Sequence, residues 1–322
     1  MAEAPRSPAE DVVCRANEAL LALEDRLTSG FEGPGRPVTF ILGPPRTGTT
    51  LVSQLLADRG GFAYVSNFLA RFWLAPYVGS RLEQEVGVRE ARPRSTYRSR
   101  SGATRGPAEP HEFTFFWNRW FELGQVTQKL EPAELERVDA AGLARSVGAL
   151  EAAWERPVVF KNSFWCNFQV AFLADLFPGS VFVRCRRAPE WAAQSIALSR
   201  EALLGSRELW WSMKPAEFPR LRALPWWEQI AGQVAFTERE LSRSLAALAP
   251  ERVIEAPYLE VCRDPRGFVE RVAEAVRIAG GELPPPAALP EGFEPTNEAR
   301  IAPRDVRRLE EALERLFSGE TD

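Results

Sequence analysis

The stretch Val38 to Thr50 (VTFILGPPRTGTT) constrains this chain more than any other part of it. Val38, Phe40 and Ile41 read as a buried strand, and Leu51, Val52, Leu55 and Leu56 recur at helical spacing until Gly60 and Gly61 end the helix. Between them Gly43 to Thr50 fits G-x-x-x-x-G followed by Thr-Thr, the phosphate-loop pattern with Thr49 where its lysine would stand. A strand that turns through such a loop into a helix points backbone N–H groups and the positive end of the helix dipole at one spot, so an oxyanion is the natural ligand. The cation of the loop moves to Arg46.

Apolar runs at Gly61 to Val65, Pro157 to Phe160, Ser180 to Arg184 and Arg252 to Glu255 read as further strands separated by helical segments. This alternation predicts an α/β fold with a central parallel sheet flanked by helices. Ligands of such sheets lie beyond the carboxyl ends of the strands, so Gly43 to Thr50, Ser66 and Asn67, Lys161 to Ser163 and Arg184 to Arg187 are the positions to watch. An amphipathic helix is expected over residues 10–28, with Val13, Ala16, Ala19, Leu20, Leu23 and Leu27 as its apolar stripe, and a carboxyl-terminal helix from Pro303 to Phe317. Thr296 and Asn297, just before it, are placed to close on a nucleotide.

At 322 residues the chain has the length of one domain with a sizeable core. A net charge of -4 argues against a nucleic-acid partner. Cys14, Cys166, Cys185 and Cys262 are too scattered for a zinc site or a disulfide framework, so no metal is expected. No leader and no apolar run of membrane-spanning length is evident, and a cytoplasmic location is expected.

Two stretches interrupt the alternation. Arg89 to Arg105 (REARPRSTYRSRSGATR) is a locally basic loop, either solvated or a cover over an anion, and it leads into the single histidine, His111. Leu209 to Trp227 carries Trp210, Trp211, Trp226 and Trp227, either as core or as a wall on which an acceptor stacks.

A second strand, turn and helix, SVFVRCRRAPEWAAQSIALSR (180–200), sets Arg187 and Ser195 eight residues apart, where a guanidinium and a hydroxyl can converge on one phosphate. Together the two segments make the chain resemble sulfotransferases that use 3′-phosphoadenosine 5′-phosphosulfate. The family's P-K/R-S/T-G-T-T loop matches Pro45, Arg46, Thr47, Gly48, Thr49 and Thr50. Its R-x-P-x-x-x-x-x-S motif matches Arg187, Pro189 and Ser195. Weaker matches run from Arg156 to Pro189 and through Tyr258, Asp264 and Pro265.

The resemblance covers roughly residues 36–275 and implies a three-layer P-loop-type fold, and the chain as a whole is read as one domain over 1–322. Within it, 1–35 is an N-terminal helical appendage, 68–155 an insertion carrying the basic loop and candidate base, and 200–245 a helical lid or acceptor region. It implies that the loop residues cradle the 5′-phosphosulfate, with Arg46 at the bridging oxygen and Lys161 at the sulfuryl oxygens, and that Arg187 and Ser195 hold the 3′-phosphate. The family places its general base at positions that here are Ser163 and Asn67, neither of which accepts a proton near neutral pH. His111 and Glu112 are therefore the candidates, with Glu109, the acceptor's own group or no base as the remaining options. The acceptor is open among small phenols, natural products and other small metabolites, glycans, lipid-linked glycans and peptide tyrosine. A kinase or NTPase, and a catalytically idle nucleotide-binding module, are the alternative readings.

Overall fold

The computed structural model describes residues 8–90 and 94–318. In chain order its main elements are α1 (Pro8–Thr28), β1 (Thr39–Leu42), α2 (Thr49–Arg59), β2 (Ala63–Tyr64), α3 (Pro76–Glu85), α4 (Thr114–Phe121), α5 (Pro132–Leu135), α6 (Ala140–Trp154), β3 (Val158–Lys161), α7 (Val170–Leu176), β4 (Val181–Arg186), α8 (Pro189–Leu204), α9 (Phe218–Leu221), α10 (Trp226–Ala246), β5 (Val253–Pro257), α11 (Tyr258–Arg263), α12 (Pro265–Ile278) and α13 (Pro303–Phe317). The strands form one parallel sheet in the order β2-β3-β1-β4-β5. The chain builds outward from β1 to one edge, returns through β3, and then crosses to the other side with β4. Strand order reverses beside β1, and in open parallel sheets that crevice is where ligands bind.

Burial on both faces explains why β1 is apolar after Thr39. Phe40 stacks on Phe182 and Phe160 of the neighbouring strands, with ring centroids 5.5 and 6.1 Å away, and faces Trp117 of α4. The same face is covered by Leu143, Val147 and Leu150 of α6 and Leu173 of α7. Ile41 points the other way, with Val159 and Val183, into a layer made by Val52, Leu55 and Leu56 of α2 and Val269, Val272 and Val276 of α12. The region expected as an insertion thus supplies α4 and α6 to the main core. A third apolar cluster joins α8, α10 and α13 and takes in Trp226, so the second half of the tryptophan-rich stretch is core.

The expected apolar stripe of α1 is only partly the packed face. Val13, Leu20 and Leu23 are half-buried, whereas Ala16, Ala19 and Leu27 face solvent and the buried positions are Asn17, Glu24 and Thr28. Polar docking decides the orientation. Asn17 donates to the Arg71 carbonyl (2.6 Å) and accepts from the Leu74 N–H (2.8 Å). The Glu24 carboxylate accepts the N–H groups of Tyr77 and Val78 (2.8 and 3.0 Å) in the first turn of α3, where a helix has donors to spare.

Burial outweighs these bonds and the charge of Arg119, and pushes the Glu24 carboxyl up to about 7. A pKa raised on folding means that the native state binds the extra proton. Its stabilisation is fully present below the ordinary carboxylate value and is lost as pH rises through about 7. The unfolding free energy of the wild type relative to Glu24→Gln is expected to fall by up to about 3 kcal/mol between roughly pH 4 and pH 8. Denaturant titrations that show the same pH dependence for both proteins would contradict this.

Candidate active site

The loop after β1 is shaped by close approaches. Gly43 has φ 149°, and a Cβ there would lie 2.7 Å from both the Cys185 carbonyl and the Thr47 hydroxyl, so only glycine fits. Gly48, at φ 100°, caps α2 with its Cα against the Tyr258 ring. Arg46 also has positive φ (70°), an unfavourable conformation for a residue with a side chain, and the surroundings hold it there. Its carbonyl accepts Nη1 of Arg187 (3.1 Å), and its own Nε donates to the Ser195 hydroxyl on α8 (2.8 Å). The two sequence motifs, about 140 residues apart in the chain, therefore meet side chain to side chain.

Pro45, Arg46, Gly48, Thr49 and Thr50 line a cavity of about 970 Å³ beyond the carboxyl ends of β1, β3 and β4. Thr47 does not: it is buried, and its hydroxyl is spent on the Pro44 carbonyl (2.8 Å). Ser195 stands behind Arg46 rather than on the cavity wall. Arg187 reaches the cavity over the Tyr258 ring, 4.6 Å from its centroid. It is tethered by the carboxyl-terminal approach segment, donating to Asn297 Oδ1 (2.8 Å) and to the Thr296 carbonyl (3.0 Å).

Arg46, Arg187 and Arg300 crowd together, and no carboxylate among the described residues lies within ion-pair distance of Arg46. Burial, followed by repulsion from Arg187 and Arg300, lowers the Arg46 guanidinium to about 10. Burial likewise lowers Arg187. A cleft that gathers uncompensated cations in a partly dry setting is built for an anion, and one would relieve the repulsion.

Lys161 ends β3 and is only 6% exposed, its ammonium paired with the Glu112 carboxylate. The Asn162 side chain donates to the Glu112 carbonyl (3.0 Å), so the backbone beside this carboxylate is fixed by the strand end. His111 is adjacent but differently committed. Its N–H pairs with the Val65 carbonyl, and its Nδ1 accepts the Phe113 N–H (2.9 Å). Burial above all, with Lys161 and Arg71 adding and Glu112 opposing, lowers its pKa below the ordinary histidine value. In the neutral ring the proton must then sit on Nε2, leaving a donor and no free acceptor. Glu109 is turned away altogether, buried and accepting from Gln54 (2.9 Å) and Ser95 (2.8 Å).

The basic loop divides by role. Arg89 is structural, bonded to Glu83 and the Tyr64 carbonyl and stacked on Trp154. Arg92 lies outside the described residues. Arg98 and Arg100 line the cavity, whereas Arg94 and Arg105 are exposed away from it. Arg100 and Ala103 pair as a short hairpin whose tip residues Ser101 and Gly102 both take positive φ, as a tight primed turn requires. The tip rests on the anion loop, with the Thr50 hydroxyl donating to the Gly102 carbonyl (3.2 Å). Asn67 secures the base of the hairpin through Thr104 Oγ1 and the Gly106 carbonyl.

Of the four tryptophans in the stretch Trp211 lines the cavity, with Ser212 next to it and Phe164 and Leu203 also on the wall, while Trp210 packs edge-on against Phe218. Arg300 is a site residue that sequence reasoning missed, since it sits in an irregular segment without local pattern. Asn167, which pairs with Gly43, was missed as well.

Comparison with known proteins identifies the fold and the family. Two solved structures share the fold. Sulfotransferase STF1 from Mycobacterium tuberculosis H37Rv is similar with TM-score 0.54 at 16% identity, over 93% of this chain and 81% of that one. Sulfotransferase STF9 from Mycobacterium avium is similar with TM-score 0.51 at 16% identity, over 98% and 79%. No curated protein matches. The model of the Sulfotransferase family matches residues 37–279, from the first residues of the anion loop's strand to the end of α12, and the chain therefore belongs to the sulfotransferase family.

Proposed function

We propose that the protein transfers a sulfuryl group from 3′-phosphoadenosine 5′-phosphosulfate to a hydroxyl or amine of a small-molecule, glycan or lipid-linked acceptor. The observation that carries this reading is the junction of the two motifs: Arg46 and Arg187 converge on one cavity, spaced by Ser195 and the Arg46 carbonyl. A donor with phosphates at both ends of its ribose needs two cationic subsites. A nucleoside triphosphate would instead need a loop lysine, and Thr49 stands in its place.

In this reading the backbone N–H groups at the start of α2 and the Thr49 hydroxyl receive the 5′-phosphosulfate, the Thr50 hydroxyl joins them by giving up its bond to the Gly102 carbonyl, and Arg187 takes the 3′-phosphate. The acceptor oxygen attacks sulfur in line as the bond from sulfur to the 5′-phosphate oxygen breaks. The electron pair leaves with that phosphate, beside Arg46, and Lys161 faces the sulfuryl oxygens in flight. The acceptor's proton passes to Glu112. The products are the sulfated acceptor and adenosine 3′,5′-bisphosphate. Little covalent work falls to the protein in such a loose transfer, so fixed charge and position carry the catalysis.

Glu112 is preferred to His111 as base because its carboxylate has lone pairs to offer, whereas His111 Nδ1 is occupied by the Phe113 N–H and Nε2 carries the proton. His111 serves as a donor that orients the acceptor. The cysteines stand free, which supports work in a reducing compartment such as the cytoplasm. Among the described residues no helix is long and apolar enough to cross a membrane, and no cluster of side chains could hold a metal.

The test of the donor assignment is the 3′-phosphate. Arg187→Ala is expected to weaken adenosine 3′,5′-bisphosphate by about ten- to a hundredfold, the worth of a forked charge-assisted contact. Adenosine 5′-phosphosulfate, which lacks that phosphate, should lose little. Equal losses for the two ligands in calorimetric titrations would remove the 3′-phosphate from the reading.

A further inference from the structure

Asn167 belongs to neither motif and does not line the cavity, yet it is the side chain most closely joined to the anion loop's origin. It sits in the short 3-10 turn Cys166–Phe168 after β3 and is wholly buried. Its Oδ1 accepts the Gly43 N–H (3.0 Å) and its Nδ2 donates to the Gly43 carbonyl (2.9 Å). One amide thus satisfies both backbone groups of a single residue, as a neighbouring strand would. The ladders of β1 end at Ile41 on the β3 side and Leu42 on the β4 side, so Asn167 takes over at the residue where strand becomes loop. Gly43 is also the position where a close backbone approach excludes any side chain.

The orientation of the amide is itself held. Nδ2 faces Met213 Sδ at 3.4 Å, and the Met213 carbonyl receives Gln233 Nε2 (2.7 Å) and Trp210 Nε1 (3.1 Å). Only the rotamer with nitrogen towards the sulfur and the Gly43 carbonyl satisfies every group, and a buried amide turned the other way would leave donors facing donors. The other ties of the loop, Thr47 to Pro44, Arg46 to Ser195, Arg187 to Arg46 and Thr50 to Gly102, act further along it.

We propose that Asn167 is a positioning residue that sets the direction in which the loop leaves β1, and so places Arg46 and the backbone N–H groups of residues 44–50 on the donor's 5′-phosphate. The assignment rests on the 3′-phosphoadenylyl donor reading above. It predicts a loss concentrated at one end of the nucleotide, because Arg187 meets the loop through the Arg46 carbonyl alone and is held besides by Asn297 and Thr296.

The experiment titrates wild type, Asn167→Ala and Asn167→Asp with adenosine 3′,5′-bisphosphate and with adenosine 3′-monophosphate, with circular dichroism confirming the fold at the titration temperature. The variants are expected to lose about tenfold or more in affinity for the bisphosphate, and less than about twofold for the 3′-monophosphate. Asn167→Asp keeps the side chain's shape and sets a carboxylate oxygen against the Gly43 carbonyl, so it carries the test if the alanine variant fails to fold. Equal losses for both nucleotides, or an unchanged bisphosphate affinity, overturn the positioning role. If the wild type itself shows no preference for the bisphosphate over the 3′-monophosphate, the donor reading fails instead, and the assignment falls with it.

Discussion

Arg46→Ala is expected to lower sulfuryl transfer by about a hundred- to a thousandfold, the usual cost of deleting a preorganised charge at the atom where charge develops. The variant should remain as stable as the wild type or become slightly more so. The Arg46 guanidinium sits half-buried among Arg187 and Arg300, and its pKa is lowered to about 10, so the folded protein holds this charge at a cost. Removing it relieves that repulsion and forfeits one hydrogen bond, to Ser195. Release of labelled sulfate from 3′-phosphoadenosine 5′-phosphosulfate, to acceptor or to water, measures the first effect, and thermal unfolding the second. Turnover near the wild-type rate would show that the cation at the bridging oxygen is another residue.

The base assignment makes the second large prediction. Glu112→Gln should cost about a hundred- to ten-thousandfold in single-turnover rate, in the range of a lost general base. His111→Asn should cost about tenfold at most, since that ring supplies a donor and the amide can replace it. The pH profile separates the two further. The lowered pKa keeps His111 neutral through the neutral range, so its protonation affects the rate only on the acid side of the ordinary histidine value. A His111 variant that loses as much rate as Glu112→Gln would reverse the roles. The Lys161 ammonium pairs with Glu112, which couples the proposed sulfuryl contact to the proposed base, so Lys161 and Glu112 variants are expected to be non-additive.

What the sequence disclosed about the fold was whatever has a short-range signature. The strand Thr39–Leu42 shows itself because burial on both faces demands the apolar residues Val38, Phe40, Ile41 and Leu42, and α13 was legible from Pro303 to Phe317 because its apolar stripe is narrow and regular. Gly43 and Gly48 were legible as loop glycines, each held where a Cβ would collide. The convergence of Arg187 with Arg46 followed from placing each at a strand's carboxyl end in one parallel sheet.

Contacts between distant segments had no such signature. Asn167 lies 124 residues from Gly43, and nothing local distinguishes its amide from any other. The α1 helix was misread at Ala16, Ala19 and Leu27 because its docking is polar, through Asn17 and Glu24 onto groups that only tertiary structure brings near. Thr47 looked like a cradle hydroxyl, but the turn's own geometry directs it to Pro44. His111 and Glu112 could be ranked only once the bond from the Phe113 N–H and the pairing with Lys161 were seen.

In the proposed function one cavity, formed where the Arg46 loop meets Arg187, receives a nucleotide with phosphates on both the 3′ and 5′ oxygens. Titration of the wild-type protein with adenosine 3′,5′-bisphosphate, ATP and GTP tests it without any knowledge of the acceptor. The bisphosphate is expected to bind at least about tenfold more tightly than either triphosphate. Binding of ATP or GTP as tight as, or tighter than, that of the bisphosphate would contradict it.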